Sequence, residues 1–197
     1  GRMDLAKLAR ILWHTNGCTR IVTMGGSVHH FRAAPSAGAM YPTEVYVAVR
    51  DVDDLSDGIY DYQVLDHSLA LVRDAEVWDP LVAACFAHPA VARADVVLLL
   101  TAEWQRSAWR YRERGYRRAL LDTGHVLGNL VEAAPCEGFS AFPLTSFRDE
   151  LVERLLETDP CVEGPLVVVP LVAEDVAPSI PPLPLHASPS TEWHRAA

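Results

Sequence analysis

Cysteine is scarce and scattered: Cys18, Cys85, Cys136 and Cys161 are the four in 197 residues. None stands at a CxxC-type spacing from another, which excludes the usual metal knuckle, so no metal is expected. A chain of this length builds a core without disulfide staples, and the thiols read as structural or free. No apolar run approaches the roughly 20 residues that span a bilayer, and no secretory signal is visible, so the expected setting is cytoplasmic with no membrane partner. Basic charge is also short, with 17 Lys and Arg against 26 Asp and Glu and a net charge of −9. A nucleic-acid binder needs a basic face to displace counterions from phosphates, so nucleic acid is not an expected partner.

What is present fits one domain. Half the residues are hydrophobic and 22% are charged, ordinary for a globular protein. Leu5, Leu8, Ala9, Leu12 and Trp13 recur at helical spacing behind Asp4, a good helix cap, and Gly17 closes the segment. Residues 19–42 carry Gly25-Gly26, Pro35, Gly38 and Pro42 and read as one long loop, a length usually reserved for function. Residues 44–49 alternate as a strand, and 58–64 and 68–72 read as strands paired around a turn near Asp66-His67. A helix over 76–88 precedes a fully buried strand at 94–101. The longest helix is expected from Arg117 to Ala134, a short one over 148–156, and a last strand over 165–171 with Pro170 near its end. Elements intermix without strict βαβ alternation, which indicates an α+β fold. Pro178, Pro181, Pro182, Pro184 and Pro189 exclude regular structure at the end of the chain. The expected division is a domain at 1–172 and a Pro-rich C-terminal arm at 173–197, wrapping a partner or disordered.

Two segments stand out chemically. Pro35-Ser36-Ala37-Gly38 is a small-residue loop bracketed by prolines, with one hydroxyl donor, that lets a backbone approach a flat ligand closely. Its bland reading is a turn before a strand. Further on, Arg106, Arg110, Arg112, Arg114, Arg117 and Arg118 interleave with Trp104, Trp109, Tyr111 and Tyr116. That pattern is either a platform for an anionic cofactor or peptide, with forked guanidinium donors, or a solvated basic face. His125 reads as a packing histidine or an acid, and His29-His30 lack a third metal ligand at useful spacing. Gly124 inside the long helix costs up to about 1 kcal/mol relative to Ala, so close packing is expected around it.

Taken in this order, the segments Arg32–Val49 and Tyr111–His125 resemble the nitroreductase superfamily, and within it the SagB-type enzymes, FMN-dependent dehydrogenases that aromatise azoline rings in peptides. The resemblance covers about residues 4–171. It implies a mixed central sheet flanked by helices, a homodimer built on the long helix, and FMN as cofactor. Carried over, Arg32, Pro35, Ser36, Ala37 and Gly38 lie along the FMN, and Gly138–Thr145 matches a second flavin-edge loop, which nominates Phe142, Leu144 and Thr145. Arg114 and Arg117 are further cofactor-binding candidates. The Lys-Tyr pair to which that branch assigns acid–base chemistry is here Arg110-Tyr111. A guanidinium cannot act as a base near neutral pH, so Tyr111 or a group outside the motif takes the proton, with Arg110 acting electrostatically. The Arg-x-Ser-x-Arg segment that grips the FMN phosphate in the family has no counterpart before the first helix. Gly1-Arg2-Met3 is read either as two residues ahead of a native Met3 or as the edge of a missing N-terminal segment.

The function so implied removes a proton to a base and a hydride to the flavin, introducing a C=C or C=N bond into an azoline ring of a ribosomal or carrier-bound peptide. Oxygen then reoxidises the flavin. Two alternatives stay open: an NAD(P)H-dependent nitro- or quinone reductase, and a non-catalytic subunit that kept the fold but lost FMN.

Overall fold

The computed structural model of the chain describes residues 1–74 and 76–174. From residue 175 onward the expected Pro-rich arm lies outside the described residues. Helix α1 (Leu5–Asn16) begins where the Asp4 carboxylate accepts the Lys7 N–H at 2.8 Å, one of the otherwise orphan donors of a helix start. It buries Leu8, Ile11 and Leu12. It ends at Gly17, whose backbone turns extended at φ −61° and ψ 156°; a Cβ there would lie 2.5 Å from the Trp13 carbonyl oxygen, so glycine is the residue that fits.

The stretch expected as one loop over 19–42 is instead mostly a hairpin. Strands β1 (Cys18–Met24) and β2 (Ser27–Arg32) pair antiparallel, with Met24 opposite Ser27. Gly25 and Gly26, at φ 57° and 82°, make the two-residue connection, whose positive φ values match the twist of paired strands. The pattern hid this because the hairpin leaves Ile21, Met24 and Val28 largely exposed, so no burial alternation marks it. Only residues 33–42 remain as loop.

The main sheet contains β3 (Thr43–Val49), β4 (Gly58–Gln63), β5 (Ser68–Asp74), β6 (Val96–Glu103), β7 (Phe139–Ala141) and β8 (Glu163–Ala173), ordered β5-β4-β3-β6-β8-β7. Each pairing within it is antiparallel, and a parallel bridge, Asp4 with Asp53, lies outside it. β6 is buried from Val96 to Ala102, which explains its continuous apolar run: helices cover both faces. β8 runs longer than expected and holds Pro165 in its interior. The ladder slips between Leu100 and Thr101, opposite Pro165, where a missing N–H is tolerated.

One face packs on α1 and on α5 (Gly115–Cys136) through Val45, Val47, Leu98, Leu100, Val126 and Leu130. The other face packs on α2 (Trp78–Ala84), α3 (Pro89–Arg93) and α6 (Asp149–Leu156) through Ala48, Leu81, Leu99, Val152 and Leu155. The helix expected over 76–88 is thus shorter, running only from Trp78 to Ala84, and a separate short helix follows it. Phe86 and Ala87 sit at φ 53° and 54°, which no helix continues, and Pro89 starts the next. The remaining helix, α4 (Trp104–Tyr111), leads through a 3₁₀ turn at Arg112–Arg114 into α5. Among the described residues no helix is long and apolar enough to cross a membrane.

Candidate active site

The loop 33–42 lies on the α5 side, at the Thr43 end of β3. Its conformation is unusual: Gly38, Ala39 and Tyr41 all have positive φ, at 64°, 53° and 48°. Left-handed non-glycine residues persist where the surroundings over-determine them, and here they do. The Ser36 hydroxyl donates to Asp122 Oδ2 at 2.6 Å, and the Ala37 N–H donates to both Asp122 carboxylate oxygens at 3.1 Å. The Tyr41 N–H donates back to Ser36 Oγ at 2.8 Å. One residue on, the Thr43 and Thr123 hydroxyls meet at 2.8 Å. The carboxylate of a buried residue in the middle of α5 therefore locks the loop.

This changes the part expected of Ser36. Its single O–H is committed to Asp122, so the loop offers a ligand backbone and shape, not a free hydroxyl. Beneath the loop the packing leaves a cavity of ≈ 10 Å³ between Asn16, Arg32, Ser36 and Asp122, far too small for a ring. The accessible side is the outer one, where Pro35, Gly38 and Ala39 are exposed.

Tyr111, at the end of α4, meets this loop. A Cβ built on Gly38 would lie 2.7 Å from the Tyr111 hydroxyl and 3.6 Å from Arg110 Nε. The two sequence motifs thus touch at a point where only glycine fits. Over the Tyr111 ring stand two guanidiniums, Arg110 at 5.9 Å and Arg118 at 5.5 Å from its centroid. Arg32 turns inward: its Nη1 donates to the Thr43 carbonyl at 3.3 Å and its guanidinium lies 5.0 Å from the Tyr41 ring centroid. Burial pulls its affinity for the proton below the ordinary arginine range, and Glu44 works the other way.

Sequence reasoning did not single out Asp122, Glu44 or the role of Arg106. The Arg106 guanidinium contacts the Glu44 and Glu103 carboxylates, the latter at 2.6 Å, and donates to the Tyr41 carbonyl at 3.1 Å. Burial pushes the Glu44 carboxyl up from the ordinary glutamate range, with Arg106 and Arg32 opposing it. Beside this group, Glu163 accepts from the Thr101 and Tyr46 hydroxyls.

Other nominated residues lie elsewhere. Arg114 and Arg117 are exposed on the turn before α5 and on its first turn. Phe142 and Leu144 pack against the α2 and α6 side of the core, the Leu144 N–H donating to Val168, and Thr145 is exposed. β7, which leads into them, is separated from β3 by β6 and β8, a lateral distance of about 14 Å at ordinary strand spacing. Within a single chain these residues do not join the Pro35–Gly38 loop. His125 is exposed and its Nδ1 lies 2.8 Å from the Leu121 carbonyl oxygen of its own helix. Among the described residues a Cβ on Gly124 would meet nothing within 4 Å, so they do not supply the close packing expected there.

The α+β domain with a helix-covered sheet is the fold of nitroreductases. The sequence model of the nitroreductase family matches residues 2–171, and the chain belongs to that family. It is 32% identical over 169 residues to a Methanocaldococcus jannaschii protein named as a nitroreductase, covering 86% of this chain and 80% of that one. It is 33% identical over 170 residues to the trifolitoxin-processing protein of Rhizobium leguminosarum bv. trifolii, covering 82% of this chain but 45% of the relative. A crystal structure of a nitroreductase from Anabaena variabilis superposes with a TM-score of 0.84 at 41% identity, covering 88% of this chain and 37% of that one. The chain thus spans less than half the length of two of these relatives.

Proposed function

We propose that the protein is an FMN-dependent dehydrogenase that oxidises an azoline-type ring in a ribosomal or carrier-bound peptide. The observation that carries this reading is the contact between Tyr111 and Gly38, which sets a proton-transferring phenol against a loop shaped for a flat ring. The names of two relatives, the trifolitoxin-processing protein and the Escherichia coli microcin B17-processing protein, support a peptide as substrate.

The residues present fit such a cofactor. The exposed side of Pro35, Gly38 and Ala39 carries no bulky side chain, and Asp122 fixes its shape from behind. FMN bound there would supply a two-electron acceptor. The chain's own contribution is positional and acid–base. The loop orients the ring plane, the arginines at 110 and 118 attract anionic groups, and Tyr111 in its ionised form takes the substrate proton at its phenolate oxygen; the hydride from the neighbouring atom would go to the two-electron acceptor, which leaves a double bond in the substrate. Arg110 cannot share that step.

A homodimer belongs to the same reading. The outer side of α5 leaves Tyr116, Leu120 and Leu121 exposed, and at Gly124 and Gly128 a Cβ would meet nothing within 4 Å. A second copy of this helix laid there would bury them, and a flavin pocket shared between copies would draw its second loop, residues 142–145, from the neighbour.

The test is direct. The purified protein should be yellow and release FMN on denaturation, and Tyr111→Phe should retain FMN while lowering substrate-dependent flavin reduction by about two to four orders of magnitude. Colourless, folded protein that takes up no added FMN would sink the cofactor claim. Wild-type reduction by the Tyr111→Phe variant would place the base elsewhere. A nicotinamide-driven reductase is the second reading, favoured by the name of the archaeal relative; NADPH turnover without peptide oxidation would select it.

A further inference from the structure

Arg106 has no part in the chemistry just described, yet it touches both walls of the contact that carries it. It sits in the first turn of α4, the helix that ends at Tyr111. From there its guanidinium reaches Glu44 on β3 and donates to the Tyr41 carbonyl at 3.1 Å. Tyr41 is the last left-handed residue of the loop, at φ 48°, so the bond fixes the peptide plane that returns the loop to the sheet. Glu103, the residue before α4, holds Nε at 2.6 Å. The side chain is two-thirds shielded from solvent and Glu44 more so, so these bonds are less screened than surface pairs.

We propose that Arg106 is a positioning residue that sets the Tyr111 hydroxyl against the Gly38 turn, by tying the helix that carries the phenol to the far end of the loop it faces. Without that tie α4 keeps its packing on α5, the Trp104 bonds to the Val162 and Pro160 carbonyls and the Glu103 N–H on the Pro42 carbonyl, but the Tyr41 carbonyl at the strained end of the loop loses its side-chain donor. A planar fork is required, because three acceptors, on β3, in the loop and at the end of β6, lie around one side chain. A lysine ammonium keeps the charge but is a point donor on a flexible stem and cannot hold all three in one geometry.

This inference rests on the reading of Tyr111 as the proton-transfer group, and its test separates the two. Protein without cofactor, labelled with fluorotyrosine, gives a Tyr111 resonance identified by its loss in Tyr111→Phe. In Arg106→Lys, and in the neutral double variant Arg106→Gln/Glu44→Gln, that resonance should move toward free fluorotyrosine while those of Tyr60 and Tyr62 stay in place, with circular dichroism unchanged. In the loaded enzyme, Arg106→Lys should lower flavin reduction by about 10- to 100-fold, the scale of an ångström-sized misplacement. That loss should nearly vanish in the Tyr111→Phe background, because the two residues then act as one unit. An unmoved Tyr111 resonance in both variants overturns the proposal, as does an Arg106→Lys loss that persists undiminished beside Tyr111→Phe. If Tyr111→Phe itself reduces flavin at the wild-type rate, the proton-transfer reading fails, and the resonance alone supports or overturns the positioning.

Discussion

Asp122 shows how much one buried side chain can decide. It is only 6% exposed, and its carboxylate accepts the Ser36 hydroxyl and the Ala37 N–H across 86 and 85 residues of chain. Asn at this position offers one oxygen where two accept, and turns an amide donor toward an N–H. Asp122→Asn should therefore destabilise the cofactor-free protein by about 1–3 kcal/mol, the scale for a buried hydrogen-bonding group left without its partner. An unchanged urea midpoint would show that the loop holds its shape without the clamp. Weaker FMN retention should accompany the loss. The sequence displayed Ser36 and Gly38 openly, because small residues between prolines are a local signal. Asp122 lay in view within the second motif, but nothing local said that its partner was Ser36. Arg106 was visible only as one of six arginines, since its partners at 41 and 44 belong to another element. Side-chain pairings between distant segments leave no mark in either.

At the level of elements, the join between α4 and α5 sets where Tyr111 ends up. Gly115 has ordinary helical geometry at φ −56°, yet a Cβ there would lie 2.9 Å from Ala108 Cα and 3.0 Å from its amide nitrogen. The glycine is there for space, not for conformation. Gly115→Ala should force the helices apart, costing about 1–3 kcal/mol of stability and withdrawing Tyr111 from Gly38. Urea unfolding and flavin reduction would both register it, and neutrality in both would deny that this packing matters. Helices α1 and α5 and strands β3 to β5 were legible because each repeats apolar residues at its own period, and β6 because its apolar run is unbroken. The hairpin β1–β2 was not, since its exposed strands break the alternation and Gly25-Gly26 reads equally well as loop punctuation. The early end of the helix expected over 76–88 depended on left-handed residues, Phe86 and Ala87, whose side chains give no sign of it.

For the molecule as a whole, the alkaline limit follows from its buried phenols. Burial pushes Tyr62 up to about 12 and raises Tyr46 and Tyr60 as well, with Glu163 adding to the effect at Tyr46. A phenol whose proton is held more tightly when folded contributes stability that is fully present below the ordinary tyrosine value of 10.0 and lost as the pH rises through about 12. The melting temperature should therefore fall between these limits, and less steeply in Tyr62→Phe; identical slopes would argue against the assignment. Assembly gives a second whole-molecule expectation. If α5 meets its copy, light scattering should find a dimer with an interface on the order of 2,000 Å² or more, and Leu121→Glu should yield monomers that bind FMN poorly. A wild-type monomer at micromolar concentration would remove both the dimer and the shared pocket. The sheet order carries a consequence for time as well as for shape. β6 pairs with β3 on one side and with β8 on the other, and the last of these is also the last strand to be synthesised among the described residues. Pairings between such remote segments form slowly, because loop closure precedes any gain from contact. β3, β6 and α5 all precede β8 in the chain, so the Ser36 loop and the Asp122 that locks it are synthesised before the strand that flanks β6 on its far side.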